Sequence, residues 1–224
     1  MAASAFAKAA VVSALAALVA TTTAAAAGSP PPNAALFPTA VALRAKFADA
    51  DFAIDTTALA GAPNPSGNFR AATVGTFPAL GLPGINSAFA LVDLAPGASN
   101  TVHSHPRGAE TLYLLYGKLD VFFVEENSPP PVRVVRNTLR RGGVAVFPTG
   151  LIHGQRCVSR RGCKFLAVLG SADPGSVTVA ARLCDAPASA VAAAYGVSAR
   201  DAAHICAGLP ANPTGGRWPR RRRQ

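Results

Sequence analysis

Charge is scarce in this chain of 224 residues: Asp, Glu, Lys and Arg together make up 14%, against 50% hydrophobic. So apolar a composition does not leave a chain disordered. The 20 glycines follow no period of three, which excludes a collagen-like fibre. No internal repeat divides the sequence, and one compact domain is expected. No apolar run after residue 27 reaches the ~20 residues a membrane-spanning helix needs. N-glycosylation acceptors are missing as well, because Asn64-Pro65-Ser66 and Asn212-Pro213-Thr214 both carry proline at the middle position.

What is present first is an apolar leader. Residues 1–27 are mostly Ala, Val and Leu, with Lys8 ahead of the run Ala9 to Ala20 and small residues at Ala25-Ala26-Ala27. The run is too short to span a bilayer and has the form of a secretory signal peptide. Secretion places Cys157, Cys163, Cys184 and Cys206 where disulfides persist, and their even number fits two bridges. Of the three connectivities, pairing within each neighbourhood is preferred. Cys157 and Cys163 flank Arg160-Arg161-Gly162 in an apparent hairpin, and Cys184 and Cys206 bracket a helical stretch.

The 21 basic residues outnumber the 11 acidic ones, but Arg217 and Arg220–Arg223 lie in the last eight positions. The surplus charge is therefore largely a tail, expected to be solvated and disordered, with contact to an anionic polymer as the functional alternative. A nucleic-acid interface needs a basic face interleaved with aromatics, so neither nucleic acid nor membrane is an expected partner.

Between the leader and the tail the pattern changes twice. Residues 28–69 read as an arm with little regular structure, helix-like near Ala40 to Ala50 and rich in Gly, Pro, Asn and Ser from Gly61 to Asn68. From 70 to 183, nine short apolar or alternating runs, from Ala71–Phe77 to Val177–Arg182, are bounded by turn residues. No amphipathic helix separates them, which predicts an all-β jelly-roll barrel rather than a parallel α/β sheet. Residues 184–210 are Ala-rich and predict two short helices, Pro187 to Tyr195 and Ser198 to Ala207, with Ser198 as N-cap. Residues 211–224 form the basic tail.

Three of four histidines fall in two tight neighbourhoods. On an extended backbone His103 and His105 point to the same face, so their imidazoles converge. Glu110 opens the apolar run Thr111 to Tyr116, where a buried carboxylate is costly without a cation. His153 follows the Pro148-Thr149-Gly150 turn. Three imidazoles and one carboxylate make an N3O set that leaves two exchangeable positions on a six-coordinate ion. Ligand softness alone admits zinc, iron, copper, nickel or manganese. His204, in the Ala-rich segment, has no partner at ligand spacing and receives no role.

The stretches Gly97-(x5)-His103-x-His105-(x4)-Glu110-(x6)-Gly117 and Gly142-(x5)-Pro148-x-Gly150-(x2)-His153 resemble the paired motifs of cupins, and of plant germin-like proteins in particular. The resemblance extends to Val92–Gly97 and His105-Pro106-Arg107. It implies a single cupin jelly-roll with C-terminal helices, manganese held by His103, His105, Glu110 and His153, and a secreted, apoplastic homo-oligomer, a hexamer built as a trimer of dimers. Three departures stand out. No cysteine precedes Cys157, whereas the family usually carries an N-terminal disulfide. Cys157 also replaces the asparagine that ends the second motif. Oxalate-oxidising germins resemble the chain at Asn100 but pair that amide with another ten residues upstream, where this chain has Ala90. Asn100 either shapes its turn or orients a substrate. The leading functional expectation is superoxide dismutation with a role in defence. Oxalate oxidation and a non-catalytic, wall-associated or receptor-like metal protein are the alternatives.

Overall fold

The computed structural model describes residues 38–64, 66–127, 129–209 and 215–217. The leader, the start of the arm and Arg220–Arg223 lie outside the described residues. In chain order the strands are β1 (Ala62–Asn64), β2 (Gly67–Ala72), β3 (Ala88–Leu94), β4 (Ala98–Ser104), β5 (Glu110–Tyr116) and β6 (Lys118–Val124), then β7 (Val134–Arg140), β8 (Val144–Phe147), β9 (Ile152–Cys157), β10 (Cys163–Leu169), β11 (Val177–Thr178) and β12 (Gly215–Arg217). The helices are α1 (Ala40–Arg44), α2 (Val179–Cys184), α3 (Ala188–Tyr195) and α4 (Ala199–Ala207).

All the strand pairings are antiparallel and form two sheets, β1-β2-β3-β10-β5-β8 and β11-β4-β9-β6-β7, with β12 added against β4. This is the jelly-roll that the strand pattern predicts. Period-two alternation decides which side chains meet between the sheets. In β5, Glu110, Leu112 and Leu114 are buried while Thr111 and Tyr113 face out. In β10, Cys163, Phe165, Ala167 and Leu169 are buried. Val92, Leu112, Leu114, Leu119, Phe147 and Phe165 form the main core, each large side chain contributing roughly 1.5–3 kcal/mol by its burial. Along the inward rows polar residues come first and apolar ones follow: Glu110 before Leu112 and Leu114 on β5, His153 and Gln155 before Cys157 on β9. That ordering collects the polar side chains at one end of each row and the packed core at the other.

Four expectations need correction. The barrel begins before residue 70, because the Gly/Pro/Asn-rich segment folds into the β1–β2 hairpin with Asn64 opposite Gly67. Gly67 permits this by closeness of backbone: a Cβ there would lie 1.8 Å from the Asp93 carbonyl oxygen, and φ is +144°. At its other end β2 stops at Ala72 rather than continuing to Phe77, since Thr73 and Thr76 close a turn in which the Phe77 amide bonds the Thr73 carbonyl at 2.8 Å. The run Val177–Arg182 is extended only at Val177–Thr178, and Val179–Cys184, with Ala, Arg and Leu in its body, turns helical. The tail is not wholly irregular: Gly215, Gly216 and Arg217 pair with Asn100, Ser99 and Ala98, and Ser99 Oγ donates to the Gly216 carbonyl at 3.1 Å.

The two C-terminal helices match the expected segments, and Ser198 Oγ accepts the Asp201 amide at 3.2 Å as an N-cap. Cys184 bonds Cys206, tying α2 to α4, and Cys157 bonds Cys163, joining β9 of one sheet to β10 of the other. Cys157 is therefore half of a buried disulfide that staples the two sheets together.

Candidate metal centre

His103 and His153 face each other across the β4–β9 pairing. The register slips between Asn100 and His103, and the irregularity lets both of these side chains reach the interior although three residues separate them. β4 was not among the predicted runs because Ala98–Ser104 is mostly polar, and its strand character comes from its neighbours β9, β11 and β12. His105 lies just past the end of β4. Its carbonyl accepts the Gly150 amide at 2.9 Å, and the Arg107 amide bonds the Pro174 carbonyl at 3.1 Å. Glu110 enters from the opposite sheet at the start of β5, between Leu169 on β10 and Phe147 on β8.

The four candidate donor atoms lie within 4.8 Å of one another, and His103, Glu110 and His153 are each less than 5% exposed. Each ring Nδ1 points at a backbone carbonyl: His103 at Thr101 (2.6 Å), His105 at Gly175 (2.5 Å) and His153 at Leu151 (2.8 Å). A carbonyl only accepts, so the proton belongs on Nδ1 and each Nε2 turns a lone pair toward the centre. Glu110 Oε2 stands 3.2 Å from His105 Nε2 and 3.4 Å from His153 Nε2. Lone pairs facing a carboxylate at these distances require a positive charge between them, either a proton or a metal cation.

The electrostatics agree. Burial pushes the Glu110 carboxyl up, but its hydrogen bonds to His105 and His153 and the charges of His153 and His103 outweigh it and bring it down to about 2. Burial and the His153 charge push His103 down to about 4, so its imidazole is neutral at neutral pH. Burial also pushes His105 down, yet the Glu110 hydrogen bond, the Gly175 carbonyl and the Glu110 charge raise it above its ordinary 6.5. Without metal, His105 is thus the group that carries the needed proton. Three imidazoles and a carboxylate suit a borderline or hard divalent ion with open positions.

Two supporting residues escaped the sequence reading. Gln155, 1% exposed, donates from Nε2 to Glu110 Oε1 at 3.2 Å. Phe147 stacks on His153 with ring centroids 4.6 Å apart and planes at 16°. Gln155 had a signal, since it sits two residues from His153 on one strand and must share its face. The carbonyls of Thr101, Leu151 and Gly175 had none, because backbone contacts leave no mark on residue identity.

A cavity of about 240 Å³ adjoins His103, His105 and Glu110, and Asn100, Ala90, Val92 and Phe165 help to line it. Asn100 Nδ2 lies 3.4 Å from His103 Nε2. Asn100 and Ala90 therefore meet in one space. A larger hollow of about 450 Å³, walled by Asp120, Phe122, Arg136 and Thr138, contains none of the four donors, so the smaller cavity is the one that bears on their chemistry. His204 is exposed on α4, away from ligand partners.

Residues 61–203 match the sequence family described as Cupin. With that match, the two-sheet barrel and the four converging donors, the chain belongs to the cupin family. Its curated relatives narrow the likeness. It is 40% identical over 116 residues to germin-like protein subfamily 1 member 6 of Arabidopsis thaliana, covering 50% of this chain and 51% of that protein. It is 37% identical over 131 residues to germin-like protein 1-4 of Oryza sativa subsp. japonica, covering 57% and 55%. The matched region spans about half the length of these relatives. In fold the chain is similar to an oxalate oxidase, with TM-score 0.66 and 23% identity over 73% of this chain and 83% of that one. It is also similar to oxalate decarboxylase from Bacillus subtilis, with TM-score 0.62 and 23% identity over 74% and 41%. Among the described residues no helix is long and apolar enough to cross a membrane.

Proposed function

We propose that this cupin is a secreted, germin-like manganese protein of the plant apoplast that dismutates superoxide in a defence role and works as a homo-oligomer, a hexamer arranged as a trimer of dimers. The observation that carries the reading is the pairing of an N3O donor cluster with a cavity in which Asn100 is, among the described residues, the sole side-chain amide. Manganese held by His103, His105, Glu110 and His153 would supply the one-electron couple that oxidises one superoxide to oxygen and reduces the next, with two protons, to hydrogen peroxide. The chain's own part is to hold and orient. Carbonyls of three loops or strands fix the imidazoles, Gln155 fixes the carboxylate, and the neutral ligand set leaves a divalent ion with one carboxylate at a formal +1, which draws a small anion. Superoxide needs no second orienting amide.

Oxalate oxidation is the second reading, favoured by Asn100 beside His103 and opposed by Ala90, because a dicarboxylate must be oriented at both ends. The third is a metal-stabilised wall or receptor-like protein without turnover, with Arg220–Arg223 as its contact to an anionic polymer. Elemental analysis of the secreted protein, with paired superoxide and oxalate assays, separates the three. Superoxide turnover with little oxalate turnover is expected. Strong oxalate turnover selects the second reading, and retained manganese with neither activity selects the third.

A further inference from the structure

The cavity beside the donor cluster owes its space to a row of alanines. Ala90 stands opposite Ala71 on β2 and opposite Ala167 on β10, so one small residue from each of three adjacent strands falls on a single line across the first sheet. All three line the cavity. The row is graded: Ala71 is exposed, Ala90 half-buried and Ala167 buried, so it runs from the mouth inward. The next inward row is large and apolar, with Phe69 opposite Val92 and Val92 opposite Phe165, and these three also line the space. Among the described residues no lysine or arginine lines it, and its charge-bearing groups there are the cluster itself.

These surroundings specify a ligand. An oxygen donor must fill the open positions on the metal, and a single negative charge neutralises the formal +1 of a divalent ion with Glu110. A second carboxylate along the alanine row would meet no cation among the described lining residues, and toward the inner, buried end of the row an unpaired charge is strongly disfavoured. The rest of the ligand meets chiefly Ala, Val, Leu and Phe side chains, with Asn100 and Ser176 as the polar exceptions. The cavity, about 240 Å³ and open at its mouth, suits a short chain rather than a long one. We infer that the site takes a small monoanion with an apolar body, of the short-chain monocarboxylate class, its head on the metal and its chain along Ala71, Ala90 and Ala167. This rests on the metal-centre reading. Such a ligand competes with superoxide for the open positions.

The test uses the manganese-loaded full chain. Acetate, propionate, butyrate, pentanoate, hexanoate and octanoate are titrated alongside oxalate and succinate, with binding read by calorimetry and by loss of water-proton relaxation. Kd should fall about fourfold per added methylene, levelling off once the chain outgrows the cavity. Ala90→Leu and Ala167→Leu should abolish that dependence, with manganese content measured alongside. Ala90→Asn, a smaller change, should weaken hexanoate relative to acetate if the leucine variants do not fold. A flat series in the wild-type chain, oxalate or succinate binding tighter than hexanoate, or a leucine variant that keeps the full chain-length dependence would each overturn the assignment while leaving the metal centre standing. Wild-type protein that binds no manganese overturns both.

Discussion

The Gly150 amide donates to the His105 carbonyl at 2.9 Å, so the turn that delivers His153 is bonded to the backbone that delivers His105. Gly150 makes this contact at φ +80°, a region that other L-residues enter only with strain. Two motifs more than forty residues apart in sequence are thereby held as one unit, and the imidazoles inherit their spacing from backbone geometry rather than from one another.

Removing one of those imidazoles should empty the site. His105→Ala is expected to weaken manganese binding by more than the ~10–100-fold that loss of an outer-shell partner costs, with loss of redox activity. Elemental analysis after gel filtration checks it. Full manganese content in the variant would move the centre elsewhere.

Gln155 reaches the metal only through Glu110. Gln155→Leu should lower manganese affinity about 10-fold and change the zero-field splitting of bound Mn(II), whereas Gln155→Asn, which keeps an amide, should recover part of the affinity. Chelator competition and electron paramagnetic resonance on the two variants are the measurements. Unchanged spectra in Gln155→Leu would leave Gln155 a packing residue.

Metal uptake should depend on pH through His105. With Glu110 near 2 and His103 near 4, both are already in their metal-binding forms at pH 6, while His105, raised above 6.5, still holds a proton that manganese must displace. Apparent affinity should therefore fall up to about tenfold per unit as pH drops below the His105 pKa, each binding event releasing protons detectable by calorimetry in buffers of different ionisation enthalpy. The same shifts bear on the apoprotein. The raised His105 contributes stability that is fully present below pH 6.5 and lost as pH rises through its folded-state pKa. The lowered Glu110 contributes stability present above pH 4.5 and lost as pH falls toward 2. Melting curves of the metal-free protein from pH 3 to 9 test both signs.

The two disulfides close loops of different length, with sequence separations of 6 and 22. In the loop-entropy account they stabilise by about 2 and about 3 kcal/mol. Replacing the Cys184/Cys206 pair by alanine should therefore lower Tm by roughly 6–12 °C in a domain of this size. Non-reducing peptide mapping should return only the two local links.

At Ala90 the expected change is a gain. Ala90→Asn places an amide in the cavity that already holds Asn100, and should raise oxalate oxidation while leaving superoxide turnover within about twofold. Paired assays on equal manganese content decide it. Strong oxalate oxidation by the unmodified chain would show that one amide suffices.

Much of this was legible in the residues. Alternation in Glu110–Tyr116 and Cys163–Leu169 betrays strands buried on one face, because period two is a local property. The Ser198 cap and the neighbourhood of each cysteine pair are local as well. His103, His105, Glu110 and His153 carry the spacing of two known motifs, so the candidate donors needed no structure to be named. What the tertiary structure decided is what depends on partners far away in sequence. Ala98–Ser104 is too polar to announce itself as a strand, and it is extended because β9, β11 and β12 offer it hydrogen bonds. Val179–Cys184 turns helical where the short pairing of Val177–Thr178 with β4 ends. The sequence by itself determined which groups can bind a cation. Ala71, Ala90 and Ala167 are unremarkable residues in three separate segments, and only the registers of β2, β3 and β10 align them into a cavity beside those groups. Which strands lie side by side is decided by contacts far apart in sequence, and only then can their apolar patterns fix the register that brings these alanines into line.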